Sequence, residues 1–357
     1  MPPETPLVIR PYQPTDADAV QDVLAATYAE RATPRDRYHW WSLGCPVATT
    51  GFMVAVAGEK LVGVQPMAIF PYRTTDTRVT GAMLTGVAVH PQWRRRGIFS
   101  ALLNACEHEA WRQGAAFITT MPNDQSRPGF LKMGYTDLGL RTLLLRPLKP
   151  AALGARLVPV LGWAAGAGAG LLQTRLKPTP PPAPAAFHFR DISTLTPLHI
   201  QAATQHHALC PGLGIARSAP WLHWRYRAAP HCPYRLTEAT TPHGDLLGWC
   251  ATRVDTRSRC PITYLLDLAV FSPPAIAPLL HHIIATAAAD SHAVAAVVSS
   301  ATLAQLLAAN GFWRVPSWAP LKRFYSVAKF NPHLPLAAPD WHGIHGWYQT
   351  LADWDNL

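Results

Sequence analysis

The sequence predicts an α/β protein built from two domains. Helical patterns alternate with short apolar strand patterns through the first part of the chain, as they do in α/β proteins. A proline-rich stretch then interrupts the alternation, and a second series of patterns with some of the same features follows it. With 357 residues, the chain is long enough for two domains that each bury a core.

The N-terminal domain opens with a strand and a helix. The segment LVIRP (7–11) has the composition of a short strand. Apolar residues then recur at helical spacing over 17–30, and Thr15 is the expected N-cap of that helix. Two strands follow over 52–71 and meet at a turn around Gly58.

The same domain continues with strands and helices in alternation. A strand over 82–89 leads through a turn into a helix over 97–113, and Gly114 is its expected end. A buried strand over 115–122 and a short helix that ends at Gly134 complete the series. This order is that of an α/β domain.

Residues 149–186 separate the two domains. The apolar run 157–174 carries no charge, but it contains Pro159 and four glycines and is at the short end for a membrane span. A buried core helix is therefore preferred to a span, and the proline tract that follows is typical of a semi-rigid linker. We place the N-terminal domain at 1–148 and the C-terminal domain at 187–357.

The second domain repeats features of the first in the same order. The matching pairs are His39-Trp40 with His223-Trp224, LVG (61–63) with LLG (246–248), TGVAV (85–89) with LDLAV (266–270), and FLKMGY (130–135) with LLAANGF (306–312). The repeat has the scale of a domain rather than of a solenoid unit. After LDLAV the second domain reads FSPPAI, where the first has an arginine-glycine turn. The second domain therefore lacks the loop that would hold an anion.

That turn has the composition of an anion-binding site. Arg94, Arg95 and Arg96 run into Gly97 at the predicted start of a helix. The N–H groups of a helix N-terminus converge on anions such as phosphate, and glycine permits their close approach. A solvated basic patch is the alternative. The net charge of +10 also suits an anionic partner, whether nucleic acid, a membrane surface or a phosphorylated cofactor.

Cysteine usage and the N-terminus predict a cytoplasmic protein. None of the six cysteines forms a CxxC pair, and several lie in apolar segments, as reduced core cysteines do. The N-terminus has no basic stretch followed by an apolar run, so no signal peptide is expected. A hydrophobic content of 49% with only 15% charged residues predicts a folded chain.

The segment GVAVHPQWRRRGIFSALL (86–103) resembles the acyl-CoA signature of the GNAT acetyltransferase superfamily. That signature is a strand, the pattern R/Q-x-x-G-x-G/A and a helix, and its three motif positions fall on Arg94, Gly97 and Phe99. The downstream PNDQSRPGFLKMGY is similar to the second half of the signature. The resemblance covers about residues 6–145.

The duplicated layout and the closing WYQTLADWDN (347–356) resemble a two-domain branch of the superfamily, related to the enhanced-intracellular-survival type. The resemblance implies two GNAT-like domains, each a mixed, mostly antiparallel central sheet flanked by helices, with no cofactor site in the second. It also implies an acyltransferase that moves an acetyl or similar acyl group from acetyl-CoA, or another acyl-CoA, to an amine of a small molecule or peptide.

In that family the strand before the turn is splayed and pairs with the pantetheine arm, while the turn holds the pyrophosphate. The cofactor-binding residues that the resemblance implies are Val87, Ala88, Val89, Arg94, Arg95, Arg96, Gly97, Ile98, Phe99, Ser100, Asn123 and Ser126. The alternative at this position is a helix cap, with Asn123 or Asp124 capping the short helix.

Two residues depart from the family pattern. Phe99 replaces a small residue, which would weaken binding if the ring pointed at the cofactor and would cost nothing if it pointed into the core. Phe130 replaces a tyrosine that returns a proton to the CoA thiolate in many members. The CoA thiolate would then take its proton from another side chain or from water, or it would leave without help from an acid.

No general base is evident, since the strand reads AMLTGVAVH without a carboxylate. The candidates are His90 next to the turn, His39 in the segment that walls the acceptor site in the family, and the Leu357 carboxylate, because related enzymes fold their C-terminus into the cleft. Trp40 recurs as Trp224 in the half without a cofactor loop, which favours a packing role.

Other functions remain as alternatives or are disfavoured. A non-catalytic acyl-CoA-binding or scaffold protein stays open, because a base is missing and Phe130 is not an acid. Nucleic acid is disfavoured because the basic residues are dispersed outside the arginine turn. No metal site is expected, since the HH pairs at 206–207 and 281–282 have no cysteine or carboxylate at metal spacing. A homo-oligomer is left open.

Overall fold

Strands and helices alternate along both halves of the chain. The computed structural model describes residues 6–29, 33–150, 187–256, 260–319, 321–334 and 339–354. Its strands are β1 (Leu7–Pro11), β2 (Thr49–Thr50), β3 (Met53–Ala57), β4 (Lys60–Gln65), β5 (Met67–Arg73), β6 (Arg78–Leu84), β7 (Ala88–Val89), β8 (Phe117–Thr120), β9 (Thr136–Leu140), β10 (Thr142–Pro147), β11 (His188–Asp191), β12 (Gly214–Ile215), β13 (Arg235–Thr240), β14 (Leu246–Asp255), β15 (Ile262–Val270), β16 (Ala293–Val298), β17 (Trp313–Arg314) and β18 (Tyr325–Phe330). Its helices are α1 (Ala17–Tyr28), α2 (Arg35–Leu43), α3 (Ile98–Arg112), α4 (Arg127–Lys132), α5 (Pro197–Leu209), α6 (Ala219–Tyr226), α7 (Ile276–Asp290) and α8 (Ala301–Ala309). The predicted α/β class, with mostly antiparallel sheets flanked by helices, is confirmed.

The described chain divides into two compact units. The first unit consists of Met1–Gly139, Ala228–His231 and Tyr325–His342. The second unit consists of Leu140–Arg227, Cys232–Phe324 and Gly343–Leu357. The two ranges expected from the sequence are each continuous, whereas each unit includes a strand from the other half of the chain.

The first unit contains two sheets. One has the order β1-β3-β4-β7 and is antiparallel. The other includes the run β5-β6-β8-β18-β9, with β2 beside β5, and its β6 and β8 are parallel. Pro66 lies between β4 and β5 and has no N–H to donate to a ladder. The strand predicted over 59–71 is therefore two strands in two sheets.

Strand β18 comes from the C-terminal half of the sequence but completes the sheet of the first unit. It runs antiparallel to β8, with Val327 opposite Thr120. The Thr119 hydroxyl donates to Val327 O at 3.0 Å, and both residues are fully buried. The first unit is thus complete only when the distant strand is present.

Helix α3 packs closely on β4, where Gly63 leaves room for the first turn of the helix. Leu102, Leu103 and Cys106 are fully buried in the core of the first unit. A Cβ at Gly63 would lie 2.9 Å from Ile98 Cγ2 and 3.2 Å from Leu102 Cδ1. A side chain at this position of β4 would therefore push the first turn of α3 away from the sheet.

The second unit is built on one sheet with the order β11-β13-β14-β15-β16-β10-β17. Its β15 and β16 are parallel, and its other pairs are antiparallel. Strand β10 lies between β16 and β17, as β18 lies between β8 and β9. Helix α7 contributes Leu279, Leu280 and Ile283 to the core. Each unit therefore has as its penultimate strand the last strand of the other half.

The start of α1 differs from the prediction. Thr15 lies inside a 3-10 turn, Pro14–Asp16, and does not cap the helix. Asp16 holds this turn instead, because its carboxylate accepts the N–H of Gln13 at 2.8 Å and pairs with Arg10 at 2.7 Å. The guanidinium of Arg10 lowers the pKa of the Asp16 carboxyl, so the pair is charged at neutral pH.

The apolar run and the proline tract of the expected linker fall within 151–186, outside the described residues. Across the ranges that are described, no helix has both the length and the hydrophobicity to cross a membrane. Four of the cysteines, Cys45, Cys106, Cys210 and Cys250, are buried, as core cysteines are expected to be.

Candidate functional site

Strands β6 and β8 run side by side and then diverge. They are parallel, with Ala82 opposite Ile118 and Met83 opposite Thr119. Gly86 follows with a φ of +50°, which glycine adopts without strain, and the chain turns away from β8. Strand β7 then pairs with β4 as the last strand of the other sheet. The strand predicted over 82–89 is therefore interrupted, and an opening lies between β7 and the end of β8.

The edge of β7 that faces this opening carries backbone groups of Val87 and Val89. The His90 N–H donates to Val62 O at 2.9 Å, so the backbone groups of Ala88 and His90 face β4. Because backbone direction alternates along a strand, those of Val87 and Val89 face the opposite way. One wall of the opening therefore offers the N–H groups of Val87 and Val89 to an extended ligand. The two carbonyls already accept side-chain donors, Val87 O from Tyr28 and Val89 O from Thr27 and Arg94.

The chain after β7 forms a concave turn. His90 caps the 3-10 turn Pro91–Trp93, since its Nδ1 accepts the N–H of Gln92 at 3.4 Å. Arg95 and Gly97 are both left-handed, with φ of +61° and +76°. Left-handed residues in such a turn bring successive N–H groups into one concavity, which is an anion-binding arrangement.

Helix α3 begins directly after Gly97. The first N–H groups of a helix have no intrahelical acceptor and carry a partial positive charge. After Arg94, the next described residue whose backbone N–H meets a backbone acceptor is Ala101, which donates to Gly97 O at 3.0 Å. A Cβ on Gly97 would meet no atom within 4 Å, so this side of the turn is open to a ligand.

The three arginines of the turn take different positions. Arg94 Nε donates to Val89 O at 3.3 Å, which ties the turn to the end of β7. The guanidinium of Arg96 lies 4.7 Å from the centre of the Trp93 ring. Arg95 is exposed. Three positive charges beside a helix N-terminus favour a polyanion such as a pyrophosphate.

Of the two phenylalanines that depart from the family pattern, Phe130 lies in the core, and the half-buried Phe99 packs against it. The Phe99 ring meets Phe130 edge to face at 5.3 Å, and Phe130 meets Tyr135 in the same way at 5.2 Å. A Cβ on Gly129 would lie 2.9 Å from Phe99 Cε1, so that glycine makes room for the ring. Phe99 therefore points into the core, where it does not obstruct the turn, and Phe130 is 2% exposed.

Asn123 and Ser126 cap the start of α4. Asn123 Oδ1 accepts the N–H groups of Gln125 and Ser126 at 3.0 and 2.9 Å. The Ser126 hydroxyl accepts the Asn123 N–H at 3.2 Å and also donates to Asn123 Oδ1 at 3.0 Å. Asn123 therefore acts as a cap, and the side-chain NH2 group of Asn123 remains to donate to a ligand.

Three side chains at the opening are not marked by any sequence motif. The Tyr28 hydroxyl donates to Val87 O at 2.8 Å, and burial raises the pKa of this phenol. Tyr38 lies 3.8 Å from where a Cβ of Gly86 would be. Gln65, which is 1% exposed, donates through Nε2 to Thr85 O at 3.0 Å. The sequence shows Tyr28 only as part of an apolar helix face, because its partner is 59 residues away.

The candidate bases predicted from the sequence are not brought together. His90 caps a turn, and His39 is exposed on α2. Asp36 of the same helix lies 2.5 Å from His231 Nε2, an exposed pair that the sequence does not predict. Leu357 lies outside the described residues, so the proposed role of its carboxylate stays a prediction.

Trp40 and Trp224 are both buried, in agreement with a packing role. Among the side chains that the structure describes, no three His, Cys, Asp or Glu residues group as metal ligands would. The four histidines of the two HH pairs are buried or half-buried in the second unit. There the ring of Phe189 stacks on His282, and the ring of Tyr348 stacks on His207.

Residues 8–137 match the family model described as the acetyltransferase (GNAT) domain. No curated protein matches the sequence. A GCN5-related N-acetyltransferase from Anabaena variabilis superposes with a TM-score of 0.62 at 13% identity, over 90% of this chain and 72% of that one.

A tandem GNAT protein and Eis1 are also among the similar structures. A tandem GNAT protein from the clavulanic acid biosynthesis pathway has a TM-score of 0.55 at 15% identity, over 91% of this chain and 98% of its own. Eis1 from Mycobacterium abscessus has a TM-score of 0.51 at 17% identity, over 81% and 65% of the two chains. The matched residues 8–137 include the described opening and turn, and over most of its length the chain shares the fold of a tandem GNAT protein.

Proposed function

We propose that this tandem GNAT protein transfers an acetyl or similar acyl group from acyl-CoA to an amine of a small molecule or peptide. The observation that carries the proposal is the open edge of β7 followed directly by the left-handed turn and the start of α3. An extended arm can pair with such an edge while its phosphates meet the turn. Buried cysteine thiols suit a reducing, cytoplasmic location.

The residues present fit an acyl-CoA. The N–H groups of Arg95 to Ser100, with the three arginines, would hold the pyrophosphate, and the open side of Gly97 leaves space for it. Val87 and Val89 would bind the pantetheine arm, and the Asn123 amide would meet it from the other wall. Ala88, which the sequence also suggests for the arm, turns its backbone groups to β4 and has a buried side chain. Acyl-CoA supplies a thioester carbonyl that an amine can attack.

The chain contributes orientation and hydrogen-bond donors rather than a strong base. The N–H groups at Val87 and Val89 face the opening and can stabilise a negative charge that develops on a carbonyl oxygen. His90 Nδ1 is engaged by Gln92, so its imidazole is held as a cap. An amine that arrives neutral needs no base before attack, and binding in the opening supplies the orientation. The C–N bond then forms as the C–S bond breaks, and the proton of the attacking nitrogen passes, directly or through water, to the departing CoA thiolate, which leaves as the thiol.

A non-catalytic acyl-CoA-binding or scaffold protein is the second candidate function. The specific observation in its favour is the buried hydrocarbon ring of Phe130, where many family members have a proton donor. Binding of acyl-CoA is common to both candidates, and turnover with an amine separates them.

The test is calorimetric titration of acetyl-CoA into the wild type, Gly97→Trp and Gly114→Trp. The two glycines flank α3, have φ of +76° and +75°, and have no atom within 4 Å of a built Cβ. Both substitutions therefore impose the same backbone strain, but only Gly97→Trp fills the concave turn. We expect binding by the wild type and Gly114→Trp and its loss in Gly97→Trp.

Release of free thiol from acetyl-CoA with a panel of amines then decides between the two functions. Turnover with any amine supports the enzyme, and binding without turnover supports the binding protein. A folded wild type that does not bind acetyl-CoA, or a Gly97→Trp variant that binds as the wild type does, would contradict the proposed site.

A further inference from the structure

The second unit repeats the divergence of strands that opens the site in the first. Strands β15 and β16 are parallel from Ile262 opposite Ala293 to Leu265 opposite Ala296. Beyond this point β15 stays paired with β14, up to Val270 opposite Gly248. The diverging segment is LDLAV (266–270), which matches TGVAV of the first half. The second unit therefore has its own cleft between two parallel strands.

The C-terminal segment Gly343–Trp354 fills this cleft, and it bonds to both of the diverging walls. On the β16 side, the Ser299 N–H donates to Gln349 O at 3.0 Å, and the Gln349 N–H donates to Ser299 Oγ at 2.7 Å. On the β15 side, the Ala352 N–H donates to Leu266 O at 3.2 Å. The segment thus satisfies backbone groups that the divergence of the strands would leave unpaired in the interior.

A buried ion cluster holds the same segment. Arg217 donates to the two carboxylate oxygens of Asp353 at 2.5 and 3.0 Å and to Asp267 at 3.1 Å, and these three residues are 3–6% exposed. Asp267 occupies the repeat position of Gly86. Arg225, which is fully buried, donates through Nε to Ala352 O at 2.5 Å. Breaking one partner of such a cluster leaves a buried charge unpaired.

The turn after β15 lacks the means to hold a phosphate. It is the 3-10 turn Pro273–Ala275, which follows Ser272 and leads into α7. Its two prolines have no N–H to donate, and no arginine stands in the segment FSPPAI. The cleft of the second unit is therefore closed to acyl-CoA, because the position of the pantetheine arm is filled and the turn after β15 cannot hold a phosphate.

We propose that Gly343–Trp354 is an internal peptide ligand of the second unit, seated where the first unit leaves its cleft open, so that the chain binds a single acyl-CoA. Peptide backbone pairs with the walls here, and the Asp353 carboxylate is the anion that Arg217 receives. The position of the segment follows from contacts within the second unit alone. The number of acyl-CoA sites rests on the proposed function.

Hydrogen exchange of the full-length chain, measured by mass spectrometry, tests whether Gly343–Trp354 occupies the cleft of the second unit. We expect the amides of Gly343–Trp354 to be as protected as those of β16, within about tenfold, because both would exchange only on unfolding of the unit. Acetyl-CoA added in excess should leave that protection unchanged. Exchange of the segment at the rate of an exposed loop, with β16 still protected, would overturn the proposal.

Asp353→Asn and Asp340→Asn form a matched pair of full-length variants. Asp353 is buried in the cluster, whereas Asp340 is exposed in the first unit. We expect Asp353→Asn to speed exchange by tenfold or more, on the order of the loss of one buried charge pair, in both the segment and 266–270. Asp340→Asn should exchange as the wild type does. Equal exchange in the two variants would contradict the role of the cluster.

Titration of acetyl-CoA into the full-length chain measures the number of binding sites. We expect one site per chain. Two equivalent sites would overturn the proposal. If no binding occurs at all, the proposed function fails, while the exchange experiments still decide whether the segment is the ligand of the second cleft.

Discussion

At the scale of single residues, the site depends on a few backbone conformations. Gly86 at φ +50° turns β7 away from β8, and Gly97 at φ +76° opens the concavity before α3. Arg95, at φ +61°, takes a conformation that costs a non-glycine residue free energy. These conformations, rather than any titratable side chain, create the arrangement that suits a phosphate and an extended arm.

Tyr28→Phe tests whether the phenol competes with a ligand for the edge of β7. The hydroxyl bonds to Val87 O at 2.8 Å, so its removal frees an acceptor that the arm would use. We expect acetyl-CoA to bind about two- to fivefold more tightly, the effect of one hydrogen bond of about 1 kcal/mol or less. Isothermal titration measures this, with Tyr12→Phe as the control in the same unit. Weaker binding would show instead that the hydroxyl contacts the ligand.

His206→Leu tests a buried histidine of the second unit. In the described structure neither ring nitrogen of His206 has a hydrogen-bond partner, and burial, with the charge of His207 as a smaller cause, lowers its pKa to about 4. Because the folded-state pKa lies below the unfolded value, the contribution of neutral His206 to the free energy of unfolding is fully present above pH ~6.5. This contribution is lost as the pH falls toward ~4. The contribution is at most about 3 kcal/mol.

We therefore expect the Tm of the wild type to fall between pH 7 and pH 5 and the Tm of His206→Leu to fall less. Thermal unfolding followed by circular dichroism measures the slope. His243→Leu is the control, because His243 is exposed. Equal slopes for the wild type and His206→Leu would mean that the buried imidazole does not govern the acid response.

At the scale of elements, α4 shows how one segment can combine two roles. Its start is capped by Asn123 and Ser126, and its Phe130 packs between Phe99 and Tyr135. The cap fixes where α4 begins, and the ring fixes how α4 lies on α3. This packing stabilises the element, and because a phenyl ring has no proton to donate, Phe130 supplies no acid to the opening.

Asn123→Ser and Asn123→Ala separate capping from ligand contact. Serine retains an acceptor for the Gln125 and Ser126 N–H groups, so its Tm should stay near that of the wild type, while alanine should cost about 1 kcal/mol of stability. If the amide also binds acyl-CoA, both variants should raise the Kd by about threefold or more. A Kd unchanged in Asn123→Ser would leave capping as the role of Asn123.

At the scale of the whole molecule, the reciprocal placement of β10 and β18 makes the two halves interdependent. A fragment of residues 1–150 would lack β18, which pairs with β8 through Val327 and its neighbours. The backbone edge of β8 would then be unpaired and prone to aggregate. Each half of the sequence therefore needs the other to complete a sheet.

We expect residues 1–150 and 187–357, expressed separately, to be insoluble or unfolded, and their co-expression to give a soluble complex. A single affinity tag on one fragment and circular dichroism of the eluate check this. A soluble, monomeric 1–150 fragment that binds acetyl-CoA would contradict the interdependence.

Much of the fold could be predicted from the sequence because hydrophobic period and turn residues act locally. Strand β1 lies at the predicted residues, and α3 starts and ends within a residue of the prediction, before Gly114. Local pattern was insufficient at Thr15, where the Arg10–Asp16 pair holds a turn, and at 85–87, where one glycine diverts a strand. Contacts between distant residues decided those points.

By itself, the sequence determined the α/β class, the internal repeat and the arginine-glycine turn, since each depends on the local pattern of residue types. Only the tertiary structure decided which strand completes which unit, where Phe99 points, and that Tyr28 meets the edge of β7. It also decided that the C-terminal segment lies in the second cleft. These outcomes depend on pairing between residues far apart in sequence, and the free energy of such pairing has no signature in local composition.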